Sequence, residues 1–190
     1  MGPIRFLAAL AAMGLTAGVT GQAAAASPPV SSATITTVST GPTNSYALTL
    51  SDSAASPSPI GTFWFSWVPG QDFLDSSPLT VTNPSGWTDN ITHGGASDGY
   101  AIQWLASSPA ADATAGNSLS GFGFTSTDSP ASVYGNSAFF PTTPVLTAFT
   151  YDAAPFSDDG DRFLVTVVPE PVSLALLAPM ALLMLRRSRR

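Results

Sequence analysis

Along the middle of this chain, apolar residues recur at every second position in short runs, and a cluster of turn-forming residues closes each run. Nothing else in the sequence restricts the fold so strongly, because successive side chains of a strand point to opposite faces and a period of two marks a half-buried strand. Phe63, Phe65 and Trp67 fall on one side of such a run, with Thr62, Trp64 and Ser66 on the other. Tyr100, Ile102, Trp104 and Ala106 oppose Ala101, Gln103 and Ser107. Phe122 and Phe124 alternate more loosely, because glycines interrupt them. Val145, Thr147, Phe149 and Tyr151 form a further face, as do Phe163, Val165 and Val167. With Thr34 to Val38, Ala47 to Leu50 and Leu79 to Thr82, about eight strands are expected. The punctuation is turn chemistry: Pro69-Gly70, Asn83-Pro84-Ser85-Gly86, Gly94-Gly95 and Asp159-Gly160. No long run joins three-and-four apolar spacing to good helix formers, which excludes a helical domain or a Rossmann unit. The expectation is one all-β domain over residues 27–167, an antiparallel β-sandwich or jelly roll, with 51–59 and 107–117 as its main loops.

The surface of such a domain must be coated with Ser, Thr, Asn and Gly, since only 9% of the chain is charged and no Lys occurs. Soluble domains ordinarily carry roughly 25% charged residues. Residues 27–167 hold eleven Asp and a single base, Arg162, a balance that repels nucleic acid and anionic lipid. Zero Cys removes disulfides, thiolate catalysis and Cys-ligated zinc.

Candidate chemistry in this middle is sparse. Gly95-Ala96-Ser97-Asp98-Gly99 matches the nucleophile-elbow pattern, but an elbow needs a strand before it and a helix after it, whereas 90–95 reads as a turn and 99–107 as a strand. The one imidazole, His93, lies upstream of Ser97, is expected in an exposed loop, and has no second His with which to build a zinc site. The only Glu is Glu170, so a hydrolase would have to work with an Asp pair. A non-enzymatic protein is therefore expected, with no cofactor unless calcium binds. Asp158, Asp159 and Asp161, bent around Gly160, are the candidate Ca²⁺ ligands, against the alternative of a solvated acidic turn beside Arg162. Trp64, opposite the Phe63 face, is a candidate platform for stacking on a sugar, and Trp87 in a Ser-Gly-Trp-Thr turn is a second. The alternative for Trp64 is cover by a loop or by a second sheet.

Both ends read as addresses. Arg5, an apolar run from Phe6 to Val19, and small residues before a cut make residues 1–26 a secretory signal peptide, cleaved between Ala26 and Ser27 or one residue earlier. At the other end, residues 168–190 carry Pro169-Glu170-Pro171, an apolar stretch from Val172 to Leu185, and the cluster Arg186, Arg187, Arg189 and Arg190. Bases beside an apolar helix stay on the cytoplasmic side and act as a membrane stop, leaving the middle outside. At about 1.5 Å per residue the helix is about 21 Å long, short of a hydrocarbon core near about 30 Å, and Pro179 interrupts it. Such a helix suits a transient anchor.

This tripartite tail, confined to about the last 23 residues, resembles the PEP-CTERM sorting signal of Gram-negative bacteria. The resemblance implies export by the secretion machinery and recognition by an exosortase near Pro169-Glu170-Pro171. It further implies removal of the helix and delivery to the cell surface or the exopolysaccharide matrix of a biofilm. For the middle a structural or interaction role is expected, with a carbohydrate-binding module, in which Trp64 or Trp87 would bind matrix polysaccharide, as the alternative and an extracellular hydrolase as the more distant one. The two prolines hold the motif extended and keep it out of the helix that follows.

Overall fold

The computed structural model describes residues 27–95, 98–134 and 147–169. The signal peptide read over 1–26, Ser97, Val145, Glu170, Pro171, the apolar stretch 172–185 and the terminal arginines lie outside the described residues. In chain order the strands are β1 (Ser31–Thr40), β2 (Thr43–Asp52), β3 (Thr62–Phe65), β4 (Trp67–Val68), β5 (Gln71–Asp72), β6 (Thr80–Thr82), β7 (Trp87–His93), β8 (Tyr100–Ala106), β9 (Ser118–Ser126), β10 (Thr147–Tyr151), β11 (Asp161–Leu164) and β12 (Thr166–Val167). A short 3₁₀ turn at Pro109–Ala111 and one helical turn, α1 (Pro130–Val133), complete the described elements.

The strands assemble into the expected β-sandwich. One sheet has the order β12-β1-β2-β9-β6 and the other β11-β10-β3-β8-β7, while β4 and β5 form a separate ribbon. Pairing is antiparallel except between β1 and β12. Alternation puts Ile35, Tyr46, Leu48, Leu50, Phe122 and Phe124 of the first sheet against Phe63, Phe65, Ile102, Trp104 and Ala148 of the second, all within one buried cluster. Phe63 is its hub, stacked on Trp104 at 5.3 Å and meeting Phe122 edge-on at 5.3 Å. Burying a large apolar side chain of this kind contributes about 1.5–3 kcal/mol, provided any polar edge is satisfied. Trp104 meets that condition by donating its indole N–H to the Thr82 carbonyl at 3.2 Å, and Tyr46 by donating its hydroxyl to Asp128 O at 2.7 Å.

Four details depart from the simple alternation. Trp67 does not join the Phe63 face: Ser66 lies between β3 and β4 with φ +64, in the left-handed region, and this twist turns Trp67 over to the side of Trp64. Residues 87–93 form the edge strand β7, not a turn, and His93 is the strand's last residue, exposed, with its ring stacked on Tyr100 at 4.4 Å. The loose alternation near Phe122 is a bulge: the β2–β9 register passes from Leu48↔Phe122 to Thr49↔Ser120, leaving out Gly121. Finally, Phe163 and Val165 face the core, but Val167 is exposed, because the chain leaves the second sheet after β11 and joins the first as β12.

The expected loops hold with small shifts. Ser51 and Asp52 still belong to β2. Within 107–117, Ala113 forms a bridge to Ile60. The segment from Gly94 to Gly99 connects β7 to β8, and a strand follows it, as the rejection of a nucleophile elbow requires. Among the described residues no helix is long and apolar enough to cross a membrane.

Candidate functional site

The outer face of the second sheet is built unlike that of an ordinary sandwich. Its register aligns Phe149 of β10 with Trp64 of β3 and Trp64 with Gln103 of β8, so an outward row begins with two large rings. Rings on an outer face must be covered or left in water. Here two arms cover them. The β4–β5 ribbon leaves β3 at its Phe65 end and folds Trp67 onto Trp64, centroid to centroid 4.8 Å. The connection from β10 to β11 leaves at Tyr151, which pairs with Thr62 at the opposite end of β3. The arms meet where Phe156 stands edge-on to Trp67 at 5.9 Å.

Together they enclose a cleft of about 590 Å³. Its apolar walls are Trp67, Phe149, Tyr151 and Phe156, and Asp72, Asp98, Asp158 and Asp159 are its acidic lining residues. The rings stand at steep angles, Trp67 to Phe149 at 77° and Trp67 to Phe156 at 76°, so they form walls and not a stacked pile. Trp67 and Phe149 show only 8% and 7% of their surface, whereas Phe156 is 69% exposed. Phe156 also has φ +64. For a bulky side chain that conformation costs about 1–3 kcal/mol and persists only when the surroundings impose it. Among the described residues, the two non-glycine residues with positive φ are Ser66 and Phe156, the first between β3 and the ribbon and the second in the middle of the β10–β11 connection.

Local contacts hold the acidic side in place. Gly99 N–H donates to the Asp72 carbonyl at 2.6 Å, and the backbone there runs so close to Phe73 that a Cβ at position 99 would collide with it. Asp98 accepts the Asp72 N–H at 3.1 Å, and Thr92 donates its hydroxyl to the Asp72 carboxylate at 3.1 Å. Across the cleft, Gly160 (φ +67) packs flat against the rings of Phe149 and Tyr151, where any Cβ would overlap them, and its N–H donates to Asp158 at 3.0 Å. The second oxygen of Asp158 is buried, with the Asp152 backbone beside it but no hydrogen bond of good geometry. Burial pushes the Asp158 carboxyl above the ordinary aspartate range, with Asp152 adding repulsion, and burial followed by Asp98 does the same to Asp72.

The residues singled out from the sequence are distributed as follows. Trp64 does face away from Phe63, but it is only 6% exposed beneath Trp67 and is not an open platform; its indole N–H has no acceptor. Trp87 is a core residue, 5% exposed, donating to the Ala111 carbonyl at 2.8 Å and edge-on to Phe122, so it is not a stacking surface. Asp158 and Asp159 line the cleft, whereas Asp161 accepts the Ser31 N–H at 2.6 Å at the junction with β1. No group of three Asp, Glu, His or Cys side chains placed to hold one metal ion occurs among the described residues. Phe149, Tyr151 and Phe156 were not read as site residues: the first two appear in the sequence as one face of a strand with no sign of which side it takes, and Phe156 sits in a turn with no alternation. Val168 N–H donates to the Ile35 carbonyl at 2.9 Å, so regular pairing runs up to the residue before Pro169.

The buried carboxyls have a consequence for pH. Besides Asp72 and Asp158, burial raises the carboxyls of Asp112 and of Asp52, which has Ser53 and Ser56 beside it but neither oxygen in good hydrogen-bond geometry. With native values above the unfolded value of about 3.9, the native state binds more protons than the unfolded chain between the two, so stability falls as pH rises through that window. The melting temperature is expected to be higher near about pH 4 than near about pH 7; a thermal scan series showing a flat or rising profile would contradict this.

Compared with protein-family models, with curated proteins and with solved structures, the chain matches none.

Proposed function

We propose that this chain is an exported, non-catalytic β-sandwich protein, sorted through its C-terminal signal to the cell surface or extracellular matrix, and that the cleft on the outer face of its second sheet binds carbohydrate there. The observation that supports the reading best is the cleft itself. A sugar ring offers an apolar C–H face and a rim of hydroxyls, and this cleft offers ring walls beside carboxylates that accept hydrogen bonds. The volume of about 590 Å³ is of the size that small ligands occupy. A phenylalanine held at positive φ, packed edge-on to Trp67 yet 69% exposed, is a local cost of the kind that clusters at binding sites. Affinity electrophoresis through gels containing the producing bacterium's exopolysaccharide tests it: retardation relative to a polysaccharide-free gel is the expected result, and unchanged mobility would count against it.

The sorting half rests on the tail. In this proposal Pro169, Glu170 and Pro171 are substrate for an exosortase, with Arg186, Arg187, Arg189 and Arg190 holding the short helix as a temporary stop. The ladder bond of Val168 brings the sandwich to the edge of the motif, and proline, which has no N–H, is suited to end it there. Intact mass of the secreted protein is expected to lack residues 1–26 or thereabouts and everything beyond roughly Pro171. Replacing Pro169, Glu170 and Pro171 together by Ala is expected to leave the tail uncut and the protein in the membrane fraction; normal release of that variant would refute the motif's role.

A further inference from the structure

The charge of the cleft narrows the class of carbohydrate beyond the reading just given, on which this step rests. Asp72, Asp98, Asp158 and Asp159 all line it, and Asp152 lies close enough to repel Asp158. Among the described residues two bases lie nearby: Arg162, which pairs with Phe149 in the β10–β11 register and therefore shares the outer face, and His93, whose imidazole faces Asp72. One guanidinium and one imidazole against four lining aspartates still leave an excess of negative charge, and low-dielectric ring walls concentrate its field. An unmodified neutral sugar has nothing to neutralise that excess, and a uronic acid would be repelled. A cation held against aromatic faces gains from the ring quadrupoles as well as from the carboxylates.

We infer that the cleft selects sugars bearing a free, protonated amine, that is, an amino sugar without its N-acetyl group, with the ammonium set between the Asp158–Asp159 side and the rings of Trp67 and Phe156. N-acetylation would remove the charge and add bulk, and so abolish the preference.

Isothermal titration of the purified protein with three trisaccharides at about pH 6.5, where an amine of ordinary pKa near about 7.7 is protonated, separates the possibilities. The β-1,4-linked glucosamine trimer is expected to bind at least about tenfold more tightly than the N-acetylglucosamine trimer or the glucose trimer. The preference should shrink in about 0.5 M salt. The Asp158→Asn and Asp159→Asn double variant, checked for an unchanged circular-dichroism spectrum, should reduce it to within about threefold. Should that variant misfold, the salt series on the native protein carries the same test. Equal binding of all three trimers would overturn the amine preference and leave the carbohydrate reading standing. Tighter binding of the acetylated trimer would overturn it as well. No binding of any trimer, together with no retardation by polysaccharide, would overturn both.

Discussion

Replacing Trp104 by Ala is expected to destabilise the domain by about 3–5 kcal/mol, a large share of the about 5–15 kcal/mol that holds a typical domain folded. The indole is wholly buried between the sheets, stacks on Phe63 and meets Phe122 edge-on at 5.4 Å. It also ties the two sheets together through its bond to the Thr82 carbonyl, so truncation leaves a large cavity and an unpaired acceptor at once. Urea unfolding followed by tryptophan fluorescence checks it. A loss below about 1 kcal/mol would mean that the centre of the sandwich lies elsewhere. Trp104→Phe is expected to cost less, since it keeps the stacked ring while giving up the hydrogen bond.

The second large effect is on binding. Phe156→Ala is expected to abolish retardation by polysaccharide, a loss of at least about tenfold in affinity, while the melting temperature changes little. The ring is mostly solvent-exposed and its backbone sits in the left-handed region, so shortening the side chain removes a recognition surface without opening a core cavity. Trp67→Ala should lose binding too, but with a stability penalty, because Trp67 caps Trp64 and Phe149. The contrast between the two variants is informative: retention of binding by Phe156→Ala would place the ligand elsewhere on the molecule.

Much of this fold is legible in the sequence. Alternation in β3 and β8 correctly separated Phe63, Phe65, Ile102 and Trp104 from Trp64 and Ala101, because those strands bury different clusters on their two faces and each cluster is apolar. The edge strand β7 was not legible for the complementary reason: Thr88, Asp89, Asn90 and Ile91 face solvent, and a strand that buries little leaves no period in its sequence. Ser66 hid the reversal of Trp67, since a positive φ at serine is imposed by tertiary packing and has no sequence signature of the kind glycine provides.

The site was harder to read than the fold. Trp64 lies on the sheet face above which the cleft is found, but the rings that line the cleft belong to Phe149, Tyr151 and the two arms. Phe156 and Asp158 lie in a nine-residue connection, Asp152 to Gly160, whose position over the sheet depends on Gly160 fitting against two rings far from any local rule. Trp87 misled in the other direction: a Ser-Gly-Trp-Thr turn looks like a display position, but Gly86 (φ +81) swings the indole inward to the Ala111 carbonyl.

The four tryptophans provide the most direct test of the central claim that recognition occurs on the outer face of the second sheet, because they divide between it and the core: Trp64 and Trp67 lie in the outer cluster, Trp87 and Trp104 in the inner one. Indole N–H resonances in a two-dimensional ¹⁵N spectrum, recorded while oligosaccharides cut from the host exopolysaccharide are added, report on all four together. Shifts of the Trp64 and Trp67 signals with Trp87 and Trp104 unmoved are the expected result. Shifts confined to the core pair, or none at saturating oligosaccharide, would contradict it.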